Sequence, residues 1–250
     1  MICENLIFLL CNSYLIVMDI FDAINERVTV KIYDARDVPD ELISQILTAG
    51  TLAASAGDLQ PWEFIVVKDK RLKKELSVAA LLQRHVESAP VVIVVCVDME
   101  KSELKFKERG KGLYALEDAG AAAQNMLLTA HALGLGAAWV RAFEEDKIQT
   151  LLKLPDRLRP VSIITVGFPL SYEKYPKSDV VSYENISWSE EYGKELPWVK
   201  KFGRQSRYEF KSVYGYAQEL KEKTVEKVQD KKIKQNLTQK IKDFFKRFNK

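Results

Sequence analysis

The chain has few of the residues that mark the commonest structural and catalytic sites. Its 250 residues include three cysteines and two histidines. Cys3, Cys11 and Cys96 are scattered, odd in number and form no CxxC pair. With only His85 and His131 beside them, they argue against a zinc site or a disulfide framework and fit a reducing cytoplasm. Cys96 lies within an apolar run and reads as a small core residue. No dinucleotide fingerprint is present, because Gly134-Leu135-Gly136 closes a helix and cannot offer helix-start amides to a pyrophosphate. A phosphate-binding P-loop and a GxSxG elbow are missing too. No acid–base pair stands out among the 35 carboxylates, so an enzyme built on this chain would lean on a bound cofactor.

Long hydrophobic runs are also missing. Residues 1–17 hold Leu6-Ile7-Phe8-Leu9-Leu10 and Leu15-Ile16-Val17, split by Asn12-Ser13. This is too short to span a bilayer, and its single charge is Glu4, where a signal peptide wants cations. Either Met18 is the natural start, or residues 1–17 are an added packing segment with membrane association as a further option.

What is present is an asymmetry. The net charge of +3 divides into 16 Lys/Arg against 6 Asp/Glu from Lys200 to Lys250, and −7 over the rest. After Pro197, apolar residues recur at steps of three and four (Val213, Ala217, Leu220, then Leu237, Ile241, Phe244, Phe248) among Lys, Glu and Gln. That pattern predicts a basic amphipathic helical tail over 193–250, broken near Asp230. It would dock on its own body or a partner subunit; peripheral contact with an acidic membrane is the lesser alternative, and no motif reads nucleic acid.

Ahead of the tail, Asp19 to Glu26 predicts a helix, and Pro39-Asp40-Glu41 opens another that carries Leu42, Ile43, Ile46 and Leu47. Short apolar runs at Phe64–Val67, Val91–Val97, Ala137–Val140 and Val161–Val166 predict strands. Between the second and third, an Ala-rich segment from about Leu113 to Leu133 predicts a buried helix that Gly134 terminates. His131 on it reads as a core histidine. The interleaving without a repeated βαβ unit favours an α+β layered domain.

Four motifs recur in an informative order. They are Arg27-Val28-Thr29-Val30-Lys31; Ser55-Ala56-Gly57-Asp58-Leu59-Gln60-Pro61-Trp62; Gly134 to Val140; and Arg159-Pro160-Val161 leading to Gly167-Phe168-Pro169. The set resembles the FMN-dependent nitroreductase family, over roughly Met18 to Ser189. The resemblance implies a three-layer α/β/α fold with a mainly antiparallel sheet over 18–192, a homodimer, and FMN at the subunit interface. It implies NADH or NADPH as electron donor and a small organic acceptor such as a nitroaromatic or quinone. A protein that keeps the fold without turnover, or a specialised flavin-cleaving, dehalogenating or enone-reducing member, is the alternative.

The resemblance also assigns residues. Arg27, Thr29 and Lys31 match the segment that grips the FMN phosphate and ribityl chain, with Val28 where a second cation is common. Alternate residues of an extended segment face one way, which suits a dianionic phosphate. Ser55, Ala56 and Gly57 match the loop that lies against the flavin across the dimer, with Asp58 in place of a common Asn. Gln83 and Arg84 match polar contacts to the flavin edge. Arg141 and Ala142 match the backbone presented to flavin N5, and Lys177, better than Lys174, matches a further phosphate-binding cation.

Overall fold

The computed structural model describes residues 18–171 and 180–198. Residues 1–17, Lys174, Lys177 and the basic tail lie outside them. The described residues fall into two compact units, 18–171 in the first and 180–198 in the second.

In the first unit, helix α1 (Ile20–Glu26) starts where the Asp19 carboxylate accepts from the Phe21 N–H at 2.8 Å. Helix α2 is Asp40–Thr51, and strand β1 is Trp62–Val67. Helices α3 (Lys70–Ala79) and α4 (Arg84–Ser88) lead to β2 (Val91–Asp98). Helix α5 (Met99–Arg109) passes through a wider π-type turn, Gly110–Tyr114, into α6 (Ala115–Ala132). Strand β3 (Gly136–Val140), helix α7 (Glu145–Leu151) and β4 (Leu158–Gly167) complete it. Each expected strand is therefore present and one to three residues longer at an end. Helices α3, α4, α5 and α7 are additions to the expectation.

The sheet order is β1-β2-β4-β3, antiparallel throughout. Strand β2 shows how the layers form. Its residues alternate: Val91, Ile93, Val95 and Val97 pack with α2 and α6, while Val92, Val94 and Cys96 pack with α3, α4 and α7. Helices cover both faces, so an unbroken apolar run is stable in an antiparallel strand. Cys96 is fully buried, and desolvation pushes its thiol up to about 12. Opposite it the register slips at Pro160, whose ring cannot donate to the ladder. Each fully buried Ile, Leu or Met in these two cores contributes about 1.5–3 kcal/mol.

The Ala-rich helix α6 buries nine residues, Met126 and Leu127 among them. It ends as expected: Gly134 takes φ +74°, its N–H donates to His131 O, and the Leu135 N–H donates to Ala130 O. This double bond caps the last carbonyls and aims the chain into β3. The second unit holds a short turn, Tyr183–Asn185, and Trp188 edge-on to Tyr192 at 5.3 Å.

Candidate functional site

Two assemblies carry the residues singled out above. The first is built on the outer edge of β3. The Val30 N–H donates to Ala137 O at 3.0 Å, and Thr29 bridges Ala137 in parallel. Residues 27–31 thus lie extended along β3. Val30 is fully buried, whereas Thr29 and Lys31 are exposed and Arg27 is half-exposed. Gly136 makes this approach possible, because a Cβ there would sit 2.6 Å from Val30 Cβ. Neither Arg27 nor Lys31 has a carboxylate partner among the described residues. Alternation along a strand has left two cations and a hydroxyl facing outward, unneutralised.

Helix α4 joins this edge. Buried His85 is held below the usual imidazole range, first by desolvation and second by the charge of Lys31. Gln83, which precedes α4, donates its side-chain N–H groups to Ala80 O and Ala142 O, both at 3.0 Å. Its amide nitrogen is committed to protein, leaving the amide oxygen for any other contact. A second tie, Glu144 N–H to Ala79 O at 2.9 Å, stitches the same two segments together. The Arg141 guanidinium lies 4.8 Å over the Trp139 ring. Arg27, Thr29, Lys31, Gln83, Arg84, Arg141 and Ala142 are therefore brought to one edge.

The second assembly is the loop before β1. Gly57, Asp58 and Gln60 all have positive φ. For the two non-glycine residues, conformations of this kind cost on the order of 1 kcal/mol or more. Five side-chain bonds hold the loop: Ala56 N–H to Asp118, Gln60 N–H to Ser55 Oγ and Gln60 Nε2 to Asp58, each at 3.0 Å, Lys101 Nζ to Gln60 O at 3.2 Å, and Lys105 Nζ to Gly57 O. Asp58 thus serves the loop itself. Asp118, only 6% exposed, has its carboxyl pushed above the ordinary range by desolvation.

The two assemblies stay apart in one chain. Asp118 lies in the first turn of α6 and Thr29 lies beside β3 just past its other end, about 20 Å away at the helical rise. Arg141 follows β3 at the sheet end where β1 begins, yet β1 and β3 are opposite edges, three strand spacings or about 14 Å apart. A cavity of about 630 Å³ is lined by neither assembly, and one of about 510 Å³ touches the first only through Val78 and Ala79.

The nitroreductase family model matches residues 24–168.

The chain belongs to the nitroreductase family.

A relative from Methanothermobacter thermautotrophicus, provisionally named an NADH dehydrogenase/NAD(P)H nitroreductase, is 36% identical over 61% of this chain and 78% of its own. An FMN reductase (NADPH) of Bacillus subtilis is 30% identical over 58% of this chain and 65% of its own. Among solved structures, NfrA1 of Bacillus megaterium superposes with a TM-score of 0.64 at 27% identity, covering 73% of this chain and 78% of that one.

Within the nitroreductase fold, sequence reasoning missed Asp118, Lys105 and His85. Asp118 had a signal, a carboxylate in an Ala-rich buried helix. Lys105 and His85 had none, because their contacts depend on tertiary packing. Among the described residues no His, Cys, Asp and Glu group could hold a metal ion, and no helix is long and apolar enough to cross a membrane.

Proposed function

We propose that this chain is an FMN-dependent NAD(P)H oxidoreductase that works as a homodimer and reduces a small organic acceptor. The observation that carries the proposal is the β3 edge, where Arg27, Thr29 and Lys31 stand outward along the strand that leads into Arg141–Ala142, the two cations having no carboxylate partner among the described residues. These groups fit FMN: two cations and a hydroxyl suit a phosphate dianion. Backbone past the end of a strand suits a flat ring.

In this mechanism Arg27 and Lys31 bind the phosphate and Thr29 supports the ribityl chain. Lys177 adds a further cation by its sequence match. The Arg141–Ala142 backbone would be presented to the flavin's N5, and Arg84 would supply positive potential at the ring edge. The Ser55–Gly57 loop of a second copy closes the other side, because the loop of the same chain is too distant. FMN, when bound, would supply the hydride- and electron-transfer chemistry between NAD(P)H and the acceptor. The chain's own part is to anchor, orient and cover. Scattered thiols and the basic charge of the tail are compatible with a cytoplasmic enzyme.

The visible spectrum of the purified chain, with FMN added if it is colourless, tests this directly. Flavin bands at one per subunit, with NAD(P)H bleaching them and a quinone restoring them, are expected. A chain that binds no flavin contradicts the proposal.

A further inference from the structure

The mouth between residues 78–84 and 141–144 carries a feature that binding and orienting FMN do not use. Leu81 and Leu82 are consecutive, at φ +57° and +61°, and are 58% and 72% exposed. Two neighbouring leucines in the left-handed region are a strained and costly way to end α3. The strain is fixed by bonds from Leu81 N–H to Val78 O and from Leu82 N–H to Ser77 O. Val78, at the base of this turn, is half exposed as well. The turn is pinned to the strand end by the Gln83–Ala142 and Glu144–Ala79 bonds, so the apolar pair is held beside Ala142.

The charges at this mouth are lopsided. Arg84 and Arg141 each adjoin one end of the Gln83–Ala142 bond, and neither has a carboxylate partner among the described residues. Glu144 and Glu145 are already taken, the first by Lys147 at 2.7 Å and the second by both nitrogens of the Arg159 fork at 2.7 and 2.8 Å, while Asp146 and Glu75 line a separate cavity with Val78 and Ala79. Stacking on Trp139 holds Arg141 in place without neutralising it. An apolar step held by hydrogen bonds thus stands near two exposed guanidinium groups, Arg141 stacked on Trp139 and Arg84 next to Gln83, that have no carboxylate partner among the described residues.

From this we infer that the acceptor is a flat aromatic or quinonoid molecule bearing an anionic substituent, a carboxylate or sulfonate. Leu81 and Leu82 cover its ring, and Arg141, with Arg84 behind it, pairs with its charge. The inference rests on the FMN assignment above and deepens it. An anionic group could also belong to the donor, as the extra phosphate of NADPH, so the test separates the two sources.

The experiment uses the full chain loaded with FMN, bound flavin being measured by its visible bands before every assay. With NADH as donor, kcat/KM is compared for menadione, which is neutral, and 1,2-naphthoquinone-4-sulfonate. The variants are Arg141→Gln, Arg84→Gln, their double, and Arg141→Lys as the charge-keeping control. Taking the sulfonate-to-menadione ratio relative to wild type cancels differences in the quinones' potentials. The ratio should fall roughly tenfold or more in the double variant, chiefly through KM, as expected when a charge-assisted contact is lost. Arg141→Lys should restore part of it, and added salt should shrink the wild-type preference. Leu81→Ala/Leu82→Ala should lower kcat/KM for both quinones alike. An unchanged ratio in the double variant overturns the inference. So does a ratio that stays fixed while the NADPH-to-NADH preference falls, which would assign the arginines to the donor. A wild-type chain without flavin bands overturns the FMN assignment and this inference with it, whereas flavin bands with an indifferent ratio overturn only the inference.

Discussion

The β3 edge and the loop before β1 solve opposite problems. At the edge, one fully buried valine and one glycine hold the backbone, and Arg27 and Lys31 project with no carboxylate partner among the described residues. In the loop the backbone itself is the product: positive φ at Gly57, Asp58 and Gln60 is fixed by side-chain bonds, one from a buried carboxylate. Under the proposed function, an edge of cations would recognise charge and should respond to salt. A loop of braced backbone recognises shape and should respond to substitutions that change its conformation.

The largest effect should come from removing the edge charges. Arg27→Ala with Lys31→Ala deletes two charge-assisted contacts of about 1.5–3 kcal/mol each. FMN should bind at least about 100-fold more weakly, with a flatter salt dependence, by fluorescence titration. Wild-type affinity in that double variant would remove the edge from the site. Next is Gly136→Val, which would drive a side chain into Val30. Overpacking of this kind costs about 1–3 kcal/mol. Both the melting temperature and FMN affinity should drop; a normal affinity would show that residues 27–31 need not lie on β3.

The loop should give smaller changes. Gly57→Ala forces a Cβ onto φ +55°, near Lys105 Nζ and Phe106 Cζ, at a backbone cost of about 1 kcal/mol. It should weaken FMN retention without altering its salt dependence. Equal salt slopes for this variant and the edge variant would erase the contrast between the two regions.

Asp118→Asn is the smallest and has a sign fixed by linkage. Burial raises its folded pKa above the ordinary carboxyl value of 3.8, so the native state binds a proton more readily than the unfolded chain does. The resulting destabilisation is complete at neutral pH and is relieved as pH falls through the raised pKa towards 3.8. Asn keeps an oxygen for the Ala56 N–H. The substitution should therefore raise the melting temperature at neutral pH and raise it less near pH 3.8. A uniform shift at both would mean that Asp118 is ordinarily solvated.

Much of the fold was legible because its signals are local. The strands are apolar runs, α1 and α2 have start signals, and Gly134 stops α6. The unforeseen helices lack such signals. Helix α5 buries only Ser102 and so has no apolar stripe, α4 is five residues long, and α3 hides its core contacts among lysines. At the site the pattern is the same. Arg27, Thr29 and Lys31 were singled out by the family resemblance, and the short range of strand alternation, five residues, explains why the three could be read as facing one way. Asp118 meets Ala56 across 62 positions and Lys105 meets Gly57 across 48, and only the packed fold brings those pairs together. The dileucine turn was missed because nothing in Leu81-Leu82 itself signals positive φ.

In the proposed homodimer, the edge of one chain and the loop of another make one site. The direct measurement pairs a chain carrying Arg27→Ala/Lys31→Ala with a chain carrying Gly57→Val, differently tagged and purified as the mixed dimer. Each variant alone should retain little flavin. The mixed dimer has one edge–loop combination with both halves intact, so it should carry one FMN per two chains and recover NADH oxidation. A mixed dimer as empty as its parents would mean that edge and loop serve the same chain's site, and would contradict the account.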